Sequence, residues 1–268
     1  MVTVMLAVAR VSPSRVGAVI NRNVGALRSG PSYWLVLLSG FFEPVLYLLS
    51  IGVGVGALVG DLALPGGRVV EYAVFVAPAM LAVSAMSGAL AETTFNFFFK
   101  MKYSKTFEAI LATPVKPFEI AVGELAWALV RSAAYTGAFL VVMVALGLTS
   151  PGWALAALPA TLLVGMAFGG VGMAISTLMR GWQDFDMLTT GQFALFLFSG
   201  TFSPVRDYPA VFEAVVAVTP LFHAVELVRG LAIGELGWGL LGHAAYLVVM
   251  GAAGLAFAAR RIQRTLCV

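Results

Sequence analysis

The chain has 268 residues, of which 60% are hydrophobic and 11% charged, and its mean hydropathy is +0.96. A soluble globule of this size would lack polar residues to cover its surface, so the composition indicates a protein that lives in a bilayer. The net charge of +3 does not indicate nucleic-acid binding, because the basic residues lie in short clusters between apolar blocks. The single cysteine, Cys267, excludes an internal disulfide and a cysteine-rich zinc site.

Before the first apolar block, the sequence predicts an amphipathic helix. Ser12 and Pro13 have the residue types of an N-cap followed by the first helical position. Apolar residues then recur at helical spacing, at Val16, Ile20, Val24 and Leu27. Residues 1–31 are therefore expected to form a cytoplasmic helix lying on the inner membrane surface. The alternative is a basic tail that only directs topology.

Six apolar blocks follow, and a helix needs about 20 apolar residues to cross the hydrocarbon. The blocks are 33–59, 72–99, 120–148, 153–178, 187–202 and 238–259. The apolar stretch 208–233 is interrupted by prolines and charges and is not counted as a crossing. The sequence predicts one all-α integral membrane domain of six transmembrane helices over residues 32–259, with 260–268 as a tail.

Lysines and arginines in the loops predict the orientation, because positively charged loops stay on the cytoplasmic side. Three of them, Arg68, Arg206 and Arg229, fall on one side. Twelve fall on the other: Arg10, Arg15, Arg22, Arg28, Lys100, Lys102, Lys105, Lys116, Arg180, Arg260, Arg261 and Arg264. Both termini are therefore predicted to be cytoplasmic.

The segment between the second and third blocks is too long for a simple turn. Phe107, Ile110 and Leu111 form an apolar patch at helical spacing, and Pro114 and Pro117 end the helix. A short cytoplasmic helix with an apolar patch indicates a docking site for another protein. A helix resting on the membrane surface is the alternative.

A few charged residues interrupt the apolar blocks and are informative, because placing a charge in the hydrocarbon of the bilayer costs free energy. Glu43 and Arg131 lie at similar depths in the first and third blocks, and we expect them to form an ion pair or to face one hydrated path. Glu92 and Glu124 lie near the inner ends of their blocks and are candidates for an inner gate or for contact with the cytoplasmic helix.

Several kinds of chemistry are missing from the sequence. There is no phosphate-binding GxxxxGK[ST] loop and no GxSxG nucleophile motif, and only His223 and His243 are available as histidine bases.

Two further patterns indicate structure within the membrane. The glycines Gly165 and Gly169 indicate close helix packing. An aromatic run at 95–99 indicates an interfacial belt rather than a track for stacking sugars.

Two segments carry a resemblance to a known family. In segment 106–127, the features that carry the resemblance are Glu108, the Thr113–Pro114 break and the Gly123–Glu124 pair that enters the third block. In segment 199–229, the matching features are Ser203–Pro204, Tyr208–Pro209, Pro220–Leu221, His223 and Arg229. With these features the chain resembles the permease subunits of type 2 ABC exporters, particularly the branch of nodulation-factor and daunorubicin-resistance exporters.

The resemblance implies a bacterial inner-membrane exporter of an amphiphile, such as a lipid, a lipid-linked saccharide or a drug. It implies a second permease, identical or homologous, and a separate ABC ATPase that binds ATP and Mg, with no cofactor in this chain. The segment 100–124 of this chain would be the coupling helix seated on that ATPase. The residues that couple to the ATPase would be Phe107, Glu108, Ile110, Leu111, Thr113 and Pro114. Short external re-entrant helices would contain Pro204, Pro209, Pro220, His223, Glu226 and Arg229. A membrane scaffold without transport activity and a membrane-embedded enzyme are the alternatives.

Overall fold

The structure is a computed structural model that describes residues 12–29, 42, 45–63 and 68–266. Its helices are α1 (Pro13–Arg28), α2 (Gly56–Val59), α3 (Tyr72–Ala91), α4 (Phe97–Lys102), α5 (Thr106–Leu111), α6 (Pro117–Ala145), α7 (Pro151–Ser176), α8 (Asp184–Leu197), α9 (Ala210–Val218), α10 (Pro220–Ile233) and α11 (Gly239–Leu266). A π-helical segment, Leu48–Val55, leads into α2, and another, Glu92–Asn96, joins α3 to α4. A 3-10 turn, Val205–Asp207, precedes α9.

Four helical stretches in the described part of the chain are long and apolar enough to cross a membrane. They are Tyr72–Lys102, Pro117–Ala145, Pro151–Ser176 and Gly239–Leu266, and they match the second, third, fourth and sixth predicted blocks. α9 and α10 meet at 83° and pass the same test only as a pair, as a broken span or a re-entrant loop would. The chain is thus a mostly helical, multi-pass membrane protein, as predicted.

The other two predicted blocks are not long helices among the described residues. Block 33–59 lies partly outside them, and its second half forms the π-helical segment and α2. Block 187–202 corresponds to α8, whose 14 residues span only about 21 Å. Gly200, with φ 71°, lies in the irregular turn that follows. The count of six spans therefore remains a prediction.

Two further details differ from the sequence prediction. β1 (Asp61–Ala63) and β2 (Val69–Glu71) form a small antiparallel hairpin in the loop before α3, where no strand was predicted. The last helix continues to Leu266, so most of the predicted tail 260–268 is helical. Strands of three residues carry too little periodicity to be recognised from sequence.

The long helices run back and forth, so the connections gather on two sides. On one side, Arg22 of α1 donates a hydrogen bond to the Thr106 hydroxyl at the start of α5. On the other side, the Tyr72 hydroxyl, just after the hairpin, donates to the carbonyl of Phe202. We call these the α5 side and the hairpin side. The ends of α7 and α11 lie on the α5 side with α1.

Glycines allow two pairs of helices to pack with their backbones close together. A Cβ atom added at Gly254 of α11 would lie 2.5 Å from the carbonyl carbon of Gly170 in α7. One added at Gly251 would lie 2.9 Å from Cα of Ala167. On another face of α7, a Cβ added at Gly169 would lie 2.7 Å from the Leu125 side chain of α6. The predicted close packing at Gly169 is confirmed.

Candidate functional site

The helix α5 carries the predicted docking residues, and its first turn is buried. Phe107 is 0% exposed, and its ring centroid lies 4.8 Å from that of Phe97 in α4. Ile110 and Leu111 are half-buried beside this contact. The expectation that all three form an exposed apolar patch is therefore wrong for Phe107, which anchors α5 to the protein. The exposed surface consists instead of Glu108, Ala109, Ala112, Thr113 and Pro114.

The patch could not be oriented from sequence, because apolar residues at helical spacing can face either a core or a partner. The chain enters α5 through Lys105, whose φ of 49° and ψ of 27° are left-handed. This conformation costs a residue other than glycine roughly 1–2 kcal/mol. α5 is therefore held in a sharply defined position, buried on one face and open on the other.

Beside α5, three side chains from three elements each contact the other two; Asn23 and Glu124 are buried and Lys100 is half-buried. Lys100 of α4 donates to Glu124 Oε2 at 2.6 Å and to Asn23 Oδ1 at 3.0 Å. Asn23 of α1 in turn donates to Glu124 Oε1 of α6 at 3.1 Å. We call this set the Asn23–Lys100–Glu124 triad. Glu124 thus contacts α1 and α4, and its predicted role in an inner gate or in contact with the cytoplasmic helix α5 stays a prediction.

A second carboxylate, that of Glu119, fixes α1 at its other end. Its Oε1 accepts a hydrogen bond from the Ser12 amide at 3.0 Å, and its Oε2 accepts one from the Lys116 amide at 2.9 Å. A Cβ atom added at Gly123 would lie 2.7 Å from Cβ of Val19, so α1 and α6 are in close contact. Val19 and Asn23 are buried in this contact. The predicted apolar positions are only half-buried: Val16, Ile20, Val24 and Leu27.

Inside the membrane domain, Arg131 forms an ion pair with Glu92. Arg131 is the fifteenth of the 29 residues of α6, and Glu92 is the first residue of the π-helical segment after α3. Arg131 also donates to the Tyr135 hydroxyl, and Asn96 donates to Glu92 at 2.8 Å. The expected partner of Arg131, Glu43, lies outside the described residues. Glu92 was not predicted as the partner of Arg131, because its position in the sequence indicated a place near the inner end of its span.

The ion pair lies beside a cavity of about 690 Å³ between α3, α6 and α8. Its walls combine aromatic and polar side chains, including Tyr47, Phe95, Arg131, Tyr135, Trp182 and Gln192. Gln192 of α8 donates to the Ser87 hydroxyl of α3 at 2.8 Å. A second, apolar groove of about 570 Å³ lies on the other side of α8, against α7 and α11. α8 thus separates a partly polar cavity from an apolar groove.

On the hairpin side, three predicted prolines shape the segment 204–233. Pro204, Pro209 and Pro220 directly precede or begin the 3-10 turn, α9 and α10. Proline suits these positions because its fixed φ fits a helix start and its missing N–H has no partner there. The described segment therefore consists of short broken helices, and its predicted re-entrant course stays a prediction.

The charged residues of this segment hold it against the bundle. Arg229 pairs with Glu226 at 2.7 Å and donates to the carbonyls of Phe75 at 3.3 Å and Gly200 at 2.8 Å. Its guanidinium also lies 3.9 Å from the Phe75 ring centroid. A buried arginine with this many partners is an anchor for α10.

The two histidines of the chain are in contact. His223 Nδ1 of α10 and His243 Nδ1 of α11 are 2.7 Å apart, and the His223 ring stacks on Tyr246 with centroids 4.0 Å apart. The pair joins α10 to α11 on the hairpin side. Among the described residues, no group of three or more His, Cys, Asp or Glu is placed to hold a metal ion.

These features define the chain as a multi-pass membrane permease, with a cavity between its helices and a rigidly mounted helix on the α5 side. The chain belongs to the ABC-2 type transporter family, whose profile matches residues 16–233. It is therefore the membrane subunit of an ABC transporter, and the resemblance read from the sequence is confirmed.

Relatives cover most of the chain. It is 36% identical over 200 residues to Nodulation protein J of Rhizobium leguminosarum bv. trifolii, with 74% of each chain covered. It is 33% identical over 214 residues to Nodulation protein J of Sinorhizobium fredii, with 80% of each chain covered. Over 200 residues it is 33% identical to the protein of the same name from Rhizobium meliloti, with 74% of each chain covered.

Proposed function

We propose that this protein is the permease of an ABC exporter in which separate ATPase subunits drive an amphiphile out of the cytoplasm or the inner leaflet. The observation that carries this proposal is the mounting of α5. Its buried face is fixed by Phe107 and by the Arg22–Thr106 hydrogen bond, and its other face is free for a partner. A helix anchored in this way can pass a partner's movement into α4 and α6.

The orientation supports the same function. α1, α5 and the end of α11 lie on one side. That side carries eleven of the twelve basic residues counted in the loops, Arg10 lying outside the described residues, and we infer that it is the cytoplasmic side. Six crossings, with the first block and α8 as the two additional spans, place both termini there. We propose a bacterial-type inner membrane, a dimer with a second permease, and ATP and Mg bound only by the ATPase.

The cavity supports an amphiphilic substrate. Its walls offer an ion pair, an amide and hydroxyls beside aromatic rings, and the groove behind α8 is apolar. A polar headgroup and an acyl or ring system can both be accommodated by such a combination. A membrane scaffold would need neither a cavity nor charges at the middle of a span.

Binding of an ATPase tests the proposal. The chain is expressed with an ABC ATPase encoded beside it, and the ATPase recovered with the purified permease is measured. Glu108→Lys changes the exposed face of α5 and is expected to reduce the recovered ATPase on the order of tenfold, as expected for lost charge complementarity at an interface. Glu213→Lys makes the same change on the exposed hairpin side and is the control. Equal recovery from both variants would exclude α5 as the docking helix.

A further inference from the structure

Six aromatic rings lie together at the α5-side end of the cavity. They come from the end of the α3–α4 helix, from the connection between α7 and α8, and from the start of α8. We call them the aromatic plug: Phe95, Phe98, Phe99, Tyr103, Trp182 and Phe185. Phe95, Trp182 and Phe185 also line the cavity. The plug therefore lies between the cavity and the α5 side.

Trp182 is the centre of the plug. It stacks on Tyr103 with centroids 5.3 Å apart and an interplanar angle of 28°. Its centroid lies 5.5 Å from that of Phe95, 5.9 Å from that of Phe98 and 5.7 Å from that of Phe185. Trp182 is carried by the short connection between α7 and α8. Phe185, at the start of α8, also contacts Phe95 and Phe98, with centroids 5.7 Å and 5.3 Å apart, so Trp182 and Phe185 together hold the two sides of the plug.

Most of the plug is packed less firmly than the base of α5. Trp182 is 45% exposed, Tyr103 51% and Phe95 49%, whereas Phe98 within the plug is 0% exposed, as are Phe97 and Phe107 at the base of α5. Rings that are half-exposed on both sides of a contact can separate without opening a cavity in the core. The contact between Tyr103 and Trp182 is therefore a place where the structure can part while α5 stays attached.

Tyr103 also connects the plug to α5. It follows directly on α4 and is two residues before the left-handed Lys105, so a displacement of α5 acts on Tyr103 through a very short piece of backbone. Trp182 has no such link, because its loop is closed by Asp184, which accepts hydrogen bonds from the Arg180 and Gly181 amides.

We propose that the aromatic plug is the gate of the cavity on the α5 side, and that it opens when a movement of α5 separates Tyr103 from Trp182. The role of this gate rests on the proposed transport function, in which the substrate passes the gate and the ATPase causes the movement of α5. The gate itself is defined by the rings, and it can be tested without a substrate or an ATPase.

The test measures how fast a cysteine inside the cavity is labelled. In a Cys267→Ser background, which has no other cysteine, Ser87→Cys places a thiol in the cavity wall. The full-length variant is inserted in inside-out vesicles, and a membrane-impermeant maleimide is added to the α5 side. Trp182→Ala is expected to raise the labelling rate on the order of tenfold, since it removes several aromatic contacts from the closed state.

Three further variants make the result specific. Tyr103→Ala removes the other half of the stack at a half-exposed position and is expected to raise the rate as well, even if Trp182→Ala should fail to fold. Trp182→Phe keeps a ring in the plug and should label nearly as slowly as the parent. Trp238→Ala removes a tryptophan that is 89% exposed on the hairpin side and should leave the rate unchanged.

The proposal is overturned if Trp182→Ala and Tyr103→Ala label at the same rate as Trp238→Ala. Loss of ATPase binding in the Glu108→Lys experiment has no bearing on this result, because the labelling uses the permease alone. A failure of the gate and a failure of the proposed function are therefore distinguishable.

Discussion

Glu92, in the π-helical segment after α3, and Arg131, at the middle of α6, form an ion pair. Removing one partner of a buried ion pair leaves an uncompensated charge and costs about 3–5 kcal/mol. Arg131→Leu is therefore expected to lower the thermal unfolding temperature clearly in detergent. Glu92→Leu combined with Arg131→Leu should recover most of the loss. If Arg131→Leu alone unfolds like the wild type, Glu92 is hydrated rather than paired.

The Asn23–Lys100–Glu124 triad is expected to act as one unit. Glu124→Ala leaves Lys100 without its carboxylate and Asn23 without an acceptor, for a loss of about 1–3 kcal/mol. Because the three side chains share partners, Asn23→Ala should cost less in the Glu124→Ala background than in the wild type. A double-mutant cycle by denaturant unfolding measures this difference. Additive effects would mean that α1 and α6 are held independently of the triad.

The close contact between α7 and α11 predicts opposite effects for two alanine substitutions in one helix. Gly254→Ala places a methyl group 2.5 Å from the Gly170 backbone, which cannot move away, and overpacking of this kind costs about 1–3 kcal/mol. Gly242→Ala meets no atom within 4 Å and should stabilise α11 by roughly 0.5–1 kcal/mol. Thermal unfolding of both variants checks the two signs. Equal effects would show that the helices are farther apart than described.

Lys105 predicts a stabilising substitution at the entrance of α5. Lys105→Gly removes the left-handed strain and is expected to stabilise the protein by up to about 1 kcal/mol after the larger entropy loss of glycine. Ala109→Gly, on the exposed face of α5, should instead cost about 1 kcal/mol. Both are measured by thermal unfolding. Destabilisation by Lys105→Gly would mean that the lysine side chain itself stabilises this turn.

Asp184 predicts an acid-sensitive loop. Hydrogen bonds from the backbone amides of Arg180 and Gly181 lower the pKa of its carboxyl. Because the pKa is lower in the folded state, the ionised carboxylate stabilises the loop fully when the pH is above the ordinary pKa near 3.9. This stabilisation is lost as the pH falls through the lowered pKa. The emission of Trp182, obtained by subtracting the Trp182→Phe spectrum, should change only below about pH 4. Asp184→Asn should remove this acid transition, and an unchanged transition would assign it to another group.

The helical spans were predictable from sequence because a bilayer requires long apolar runs. The four long helices begin and end within about four residues of their predicted blocks, apart from the extension of α11 to Leu266. The start of α6 at Pro117 and of α10 at Pro220 follow from proline at the first helical position.

The contacts of the candidate site were harder to predict. Glu92 and Arg131 were both singled out as intramembrane charges, but depth along a span does not show which helices are neighbours. Phe107 was predicted to face a partner, yet it is buried against α4, whose position the sequence pattern did not predict. The aromatic plug joins residues about 80 positions apart, and Trp182 belongs to no periodic segment that would have drawn attention to it.

The contact between α1 and α6 also affects how the protein is made. The Ser12 amide and Glu119 are 107 residues apart in the chain. At a synthesis rate of about 5–20 residues per second, α1 leaves the ribosome roughly 5–20 seconds before its partner does. Meanwhile its half-apolar surface can rest on the lipid headgroups, and only afterwards can Val19 and Asn23 settle on α6. The amphipathic pattern of α1 thus allows it to bind the membrane surface during synthesis, and its two buried residues, Val19 and Asn23, allow it to pack on α6 in the folded protein.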